Sequence, residues 1–375
     1  MIKSENVLER NVARRDFLKT TSGLAAAAAF GGFTLPALAY VPPTRSRGST
    51  VISVKDTGAV GNGVHDDTSA IQAAVNKLPS TGGTVYIPDG TYLIDTIRKI
   101  NLRSLMMLKL SAGAVLKAKT SSVSRAYVVY ARNVSDVEIA GGQVVGERDT
   151  HRFVSGTTDE WNHGIQILGC KRVTVRDIRV SKCTGDGICV GGAAYDVVVD
   201  NVVCTANRRQ GLSLTHCSNI KVYDSEFSYT QGTSPECGID IEPDPGYTCS
   251  NIRVQNCRLY KNAKYGINIW KNASSIVLTG NTFEYNGSLG LSTYYCSGVT
   301  VTSNTFRYNS ATGVVYNAGT RNLSHGSNMS YGNYTRLGIK TRTPFTQTGW
   351  SSKIERDVLI RSSTGTVSIR TNNYK

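Results

Sequence analysis

The sequence predicts an all-β solenoid, a chain wound into similar stacked coils, and three observations carry that prediction. Six segments repeat one phrase, a glycine followed by alternating aliphatics: Gly164-Ile-Gln-Ile-Leu168, Gly187-Ile-Cys-Val-Gly191, Gly211-Leu-Ser-Leu-Thr215, Gly238-Ile-Asp-Ile-Glu242, Gly266-Ile-Asn-Ile-Trp270 and Gly290-Leu-Ser-Thr-Tyr294, with a weaker copy from Gly313. The glycines lie 23, 24, 27, 28, 24 and 23 residues apart, a period at which each repeat covers its neighbour. Each repeat also carries a second aliphatic pair, from Val173-Thr-Val175 to Val299-Thr-Val301. Equivalent positions should then stack about 4.8 Å apart, the spacing of adjacent strands.

The elements follow in chain order. Arg14-Arg15-Asp16-Phe17-Leu18-Lys19, an apolar stretch from Leu24 to Leu35 and Ala37-Leu38-Ala39 resemble a bacterial twin-arginine signal with its cleavage box, departing from that pattern at Ala13. Residues 1–39 are therefore expected to direct export through the twin-arginine translocase to the periplasm or beyond. The apolar run is too short and too rich in Ala and Gly to span a bilayer. Residues 40–50 read as a polar linker. A short helix follows, capped by Asp67 or Thr68, with Ile71, Ala74, Val75 and Leu78 on its apolar face. Residues 51–345 form the solenoid and 346–375 the strands that cap it, with two edge strands between Arg356 and Arg370.

Interior columns are legible across the repeats. One runs Ile178, Val202, Ser225, Cys257, Asn281, Asn304, another Val180, Cys204, Phe227, Leu259, Phe283, Phe306, and Asn207, Asn262, Asn286 and Asn309 form a turn column. Stacked Asn side chains satisfy one another along a coil axis. Cys170, Cys217 and Cys296 should share a further column. None of the nine cysteines has metal-type spacing, and a Cys237–Cys249 pairing stays open.

Gly-x-Gly-Val-x-Asp-Asp-Thr from Gly61, an Ala-Ile-Gln-Ala-Ala helix and Gly82-Gly-Thr-Val-Tyr-Ile-Pro-x-Gly-Thr-Tyr together resemble the opening of the pectate-lyase-like superfamily. That resemblance implies a right-handed parallel β-helix of one domain, with lyases, hydrolases, epimerases and viral tail proteins among its members; fold alone does not choose between them.

Alternation directs the aliphatics of each Gly strand inward and the intervening residues outward. One outward column is Gln166, Cys189, Ser213, Asp240, Asn268, Ser292; the next is Leu168, Gly191, Thr215, Glu242, Trp270, Tyr294. Asp240 and Glu242, two apart on one strand, have Cα atoms about 6.5 Å apart, within reach of one glycosidic bond. Trp270 and Tyr294 offer flat faces to sugar rings, with Asn268, Ser213 and His163 as polar contacts. The formal charge of +15 favours an anionic partner; its scattered distribution disfavours nucleic acid. The leading expectation is therefore cleavage of an acidic polysaccharide by elimination. Asp240, Glu242 and Asp244 would hold Ca²⁺, and Arg208, Arg209 or Lys271 would act on the uronate proton. The alternative is hydrolysis, with Glu242 as acid and Asp240 or Asp186 as base. Resemblance to polygalacturonate hydrolases is confined to Thr184-Gly-Asp-Gly187 and the Gly238 strand. The Asp-Pro-His-Glu element of alginate epimerases is absent, although Asn207-Arg-Arg-Gln-Gly211 is similar to their Asn-x-Arg-x-Gly turn. A non-catalytic glycan-binding protein is the third reading.

Overall fold

Each coil contributes one short strand to each of three parallel sheets, and the repeat glycines show why the coils can stack. A Cβ on Gly211 would lie 2.6 Å from the carbonyl oxygen of Gly238, and one on Gly266 would lie 2.5 Å from that of Gly290. Any side chain there would force neighbouring coils apart. The computed structural model describes residues 40–333 together with the strands Lys353–Glu355, Val358–Ile360, Val367–Ile369 and Asn373–Tyr374. The export segment at 1–39 lies outside the described residues.

The first and second sheets hold 12 strands each and the third, which contains the Gly strands, holds 11. Their order follows the coils without crossing, as a right-handed parallel β-helix requires. Parallel pairing is in register throughout the repeats: Ile165, Ile188, Leu212, Ile239, Ile267 and Leu291 pair in succession. These side chains and those of the Val180–Phe306 column fill one continuous core. The strands Val358–Ile360 and Val367–Ile369 pair parallel to Val314–Tyr316 and Leu323–Gly326, so they add a further coil instead of merely closing the end. Lys353–Glu355 runs antiparallel at the margin.

Two Asn ladders run through the interior turns. Asn262 donates from Nδ2 to Asn286 at 3.0 Å, Asn286 to Asn309 at 2.9 Å and Asn309 to Asn333 at 2.8 Å. Asn281 donates to Asn304 at 3.0 Å and Asn304 to Asn328 at 3.1 Å. Each Asn oxygen also accepts a backbone N–H of the preceding coil, so both ends of the amide are satisfied without water.

Three expectations need correction. Asp67 holds the N-cap position of the helix, Thr68–Lys77, as expected, but its side chain makes no cap bond; the Thr68 N–H goes instead to Asp66 Oδ1 at 3.1 Å. Asp67 is instead buried against the N–H groups of Val60 and Gly61, at 2.7 and 3.0 Å. Residues 40–50 are no free linker. Arg45 is buried on the first sheet, bonding Thr174 at 2.8 Å and Asp196 at 2.7 Å, and Arg47 pairs with Glu138 at 2.6 Å. Carboxylates on the outer face of the sheet hold a strap whose polarity reads as a linker. All nine cysteines are buried and free, and Cys249 stacks on Cys217 with sulfurs 3.8 Å apart, away from Cys237.

The ladders set a stability test. Asn286→Ala removes acceptors from Asn262 and a donor to Leu259, leaving buried polar groups unmet. Chemical denaturation should show a loss of about 3 kcal/mol, against a change within about 0.5 kcal/mol for the exposed Asn76→Ala.

Candidate active site

The outward face of the third sheet opens into a cleft of about 320 Å³, lined among others by Glu160, Asp186, Arg209, Glu242, Trp270 and Lys271. The strand register supplies three columns to it. The central one pairs Gln166, Cys189, Ser213, Asp240 and Asn268 in succession. The flanking columns hold the residues two places beyond it and those just before each repeat glycine.

Arg209 organises the cleft. Its guanidinium lies 3.2 Å from Glu160, 3.5 Å from Asp186 and 3.5 Å from Glu242, and donates to Gln210 Oε1 at 2.8 Å. Burial opposes its charge, but Asp186 and the other surrounding carboxylates outweigh that and raise its pKa. It is a fixed cation and not a base. Arg208, its sequence neighbour, turns away. It donates to the carbonyls of Thr158 at 3.1 Å and Asp159 at 3.4 Å and lies 4.7 Å over the Phe153 ring. Burial lowers its pKa, but it has no place in the cleft; it pins the loop that ends in Glu160, just before the strand Trp161–Leu168. His151 pins the same loop between Glu147 at 2.6 Å and Asp159 at 3.6 Å.

Asp186 is buried at 1% exposure yet lines the cleft. Burial pushes its carboxyl up to about 6 against the restraining effects of Arg209 and Ser213. His163 explains part of this isolation. Its Nδ1 accepts the Asp186 N–H at 3.0 Å and lies 3.4 Å from Asp186 Oδ2. A neutral ring with its lone pair on that side gives the carboxylate no stabilisation. Burial, then the charges of Arg209 and Arg125, holds the His163 pKa down to about 3. His163, expected as a polar contact to a sugar, is thus instead a buried neutral support for Asp186.

Asp240 corrects the expectation of an open carboxylate pair. It shares the flank of Glu242 and Trp270 but is 1% exposed, beneath the cleft floor. Gln210 donates to its Oδ2, and Asn268 to its Oδ1 at 3.0 Å. Burial and then the Glu242 charge push its pKa well above the ordinary carboxylate value. Glu242 remains half-open, its side chain 44% exposed. Trp270 stacks on Tyr294 with ring centroids 4.5 Å apart, so Tyr294 backs the platform. Ser213 lies on the floor and Lys271 at the rim.

The Ca²⁺ set of Asp240, Glu242 and Asp244 does not fit this geometry. Both Asp240 oxygens face amide N–H donors, and Glu242 already faces a guanidinium; only Asp244 is free at the margin. His163, Asp186 and Cys189 bring potential ligand atoms within 4.8 Å of one another. They too are a poor cation site, because His163 Nδ1 is engaged and Arg209 stands beside Asp186. Burial, reinforced by Asp186, also pushes the Cys189 thiol up to about 12.

Sequence reasoning missed Gln210, Glu160 and Trp161. Gln210 occupies the place just before a repeat glycine, the same place as His163 and Asp186, so that column was a usable signal. Nothing local marks Glu160, which ends a long loop, or Trp161, which opens the strand Trp161–Leu168.

The description "Rhamnogalacturonase A/epimerase, pectate lyase-like" matches residues 51–259, and "Right handed beta helix region" matches residues 238–341. The uncharacterized protein YclG of Bacillus subtilis is 27% identical over 276 residues, 65% of this chain but 47% of its own length, so the chain spans under half of that relative. The A-module of the mannuronan C-5 epimerase AlgE6 of Azotobacter vinelandii superposes with a TM-score of 0.59 at 18% identity, covering 85% of this chain and 98% of that one. PfbA, a surface adhesin of Streptococcus pneumoniae, does so with a TM-score of 0.67 at 16% identity, covering 87% and 91%. These two likenesses are likenesses of fold.

The burial of Asp186 predicts a pH-dependent cost. The folded state keeps its proton up to about pH 6, whereas the unfolded chain loses it near 4. Ionised Asp186 therefore destabilises the fold progressively as pH rises through that window. In urea titrations, Asp186→Asn should gain about 2 kcal/mol on wild type between pH 4 and pH 7; a gap that stays flat would place the carboxyl in an unperturbed environment.

Proposed function

Because this chain belongs to the rhamnogalacturonase A/epimerase, pectate lyase-like family, we propose that its cleft hydrolyses glycosidic bonds of an acidic polysaccharide by acid–base catalysis between carboxyl groups. The observation that carries this reading is the placement of a buried Asp186 and an open Glu242 on either side of one guanidinium, each 3.5 Å from it. Asp186, with its pKa raised to about 6, donates its proton to the leaving glycosidic oxygen as the bond to the anomeric carbon breaks. Glu242 takes a proton from the water whose oxygen attacks that carbon. Solvent then carries the proton from Glu242 back to Asp186, so the net change is addition of water. Arg209 holds the Glu242 carboxylate at 3.5 Å, and Trp270, backed by Tyr294, supports a sugar ring.

Elimination finds less support here. It needs a base for the C5 proton, and Arg209 is a committed cation while Arg208 faces another loop. Lys271 alone remains, at the rim.

Incubation with polygalacturonate, alginate and a neutral glucan separates the outcomes. New reducing ends without ultraviolet absorbance, insensitive to chelation, are expected, and Glu242→Gln should lower the rate at least about 100-fold with unfolding unchanged. An absorbing unsaturated product would transfer the chemistry to elimination, and binding without product would remove catalysis from the cleft.

We further infer that the protein reaches its substrate by twin-arginine export. The Arg14-Arg15 segment supports this, and nine buried free thiols suit a chain that folds in a reducing compartment before transport. Replacing both arginines with lysine should leave the precursor inside the cell; unchanged export would sink the assignment.

A further inference from the structure

The corner where each coil passes from the second sheet to the third carries a column that the proposed chemistry does not use. Ser181, Thr205, Ser228, Tyr260, Glu284 and Arg307 pair in succession along the second sheet. The residues after them, Lys182, Ala206, Tyr229, Lys261, Tyr285 and Tyr308, therefore stack along the solenoid axis. All are left-handed, with φ of 56°, 56°, 55°, 53°, 55° and 54° in that order. Glycine or asparagine occupies this region most cheaply, and a bulky residue there marks a site worth explaining. The next coil does use glycine, Gly332 at φ 65°.

Three tyrosines stand at these strained positions without being buried: Tyr229, Tyr285 and Tyr308 are 44%, 49% and 37% exposed. They form a ladder of faces and edges. Tyr285 stacks on Tyr308 at 5.2 Å, Tyr229 meets Tyr260 edge-on at 5.5 Å, and Lys261 lies 5.3 Å over Tyr229. Core packing gives no reason for this aromatic surface.

At Tyr229 the ladder meets a groove of about 1120 Å³ over the second sheet, whose cations are Lys117, Lys119, Arg148, Arg179 and Lys182. Its acids are largely spent. Glu147 is committed to buried His151, and Asp149 pairs with Lys182 at 2.7 Å and Arg148 at 3.0 Å. Lys119 is shared with Asp66 at 3.0 Å. Lys117 and Arg179 face no carboxylate among the described residues.

We propose that this corner is a second carbohydrate-binding surface, distinct from the cleft, that holds an acidic polysaccharide along the solenoid axis. The tyrosine rings take the apolar faces of the sugars, and the groove cations take their carboxylates. The surface stands on its own residues, whether or not the cleft is catalytic.

Affinity electrophoresis of the mature protein through gels containing polygalacturonate tests this, with a neutral glucan gel in parallel. The double variant Tyr285→Asn, Tyr308→Asn keeps residues that tolerate the left-handed backbone, so its Tm should be unchanged or higher. Its retardation by polygalacturonate should weaken at least tenfold. Lys117→Gln with Arg179→Gln should weaken it too and flatten its salt dependence. The proposal is overturned if the tyrosine variant is retarded like wild type while Trp270→Ala is not, which would leave the cleft as the binding surface. Equal retardation by the neutral glucan would overturn the acidic assignment.

Discussion

Stacking in register is the constraint on which the rest depends. A coil of this protein has no core of its own; its aliphatics become interior only when the next coil covers them. The polar interior positions obey the same rule more strictly. An Asn can accept and donate along one axis, so a column of identical amides satisfies itself, as from Asn262 through Asn333. A single Asn among aliphatics would have no such partner.

The same stacking creates the site and its electrostatics. Strands about 4.8 Å apart bring outward carboxylates of neighbouring coils into mutual range, together with those on the loop beside them. Asp186, Asp240, Glu242 and Glu160 converge, and only two responses limit the repulsion. One is a shared cation, supplied by Arg209. The other is retention of protons, seen in the raised pKa values of Asp186 and Asp240. Buried carboxyls with raised pKa values beside a half-open one are therefore a product of the fold at this point, and acid–base chemistry is one use of such an arrangement.

Much of this was legible because period and alternation encode faces. The columns holding Asp240, Glu242, Trp270 and Tyr294 follow from the spacing of glycines, and the structure keeps all four on one flank. Depth was not encoded. Asp240 is outward by alternation yet buried, because Gln210 and Asn268 from adjacent coils close over it. Direction at the turns was not encoded either: Arg208 and Arg209 are adjacent in sequence, but one serves a loop and the other the cleft. Long-range partners were the least visible. Glu160 reaches Arg209 on a loop of irregular sequence, and Arg45 crosses the first sheet to Asp196 from a segment that looks like a tether.

Charge is divided between the two surfaces, and this bears on how an acidic polymer would meet the protein. The cleft gathers Glu160, Asp186, Glu242 and Asp244 against Arg209 and Lys271, so it repels a polyanion unless some of those acids hold protons. The groove beside it gathers five cations against Glu147 and Asp149. Under the proposed binding, an acidic chain would be drawn first to the groove and corner. A short turn separates this region from the cleft: Ala206, in the corner column, lies three residues before Arg209. Attraction at the corner can then offset the repulsion at the cleft, where protonation of Asp186 reduces the charge the substrate must meet. The proposed binding and the proposed reaction make opposite demands on charge, and a solenoid can meet them by putting each on a different face of the same coils.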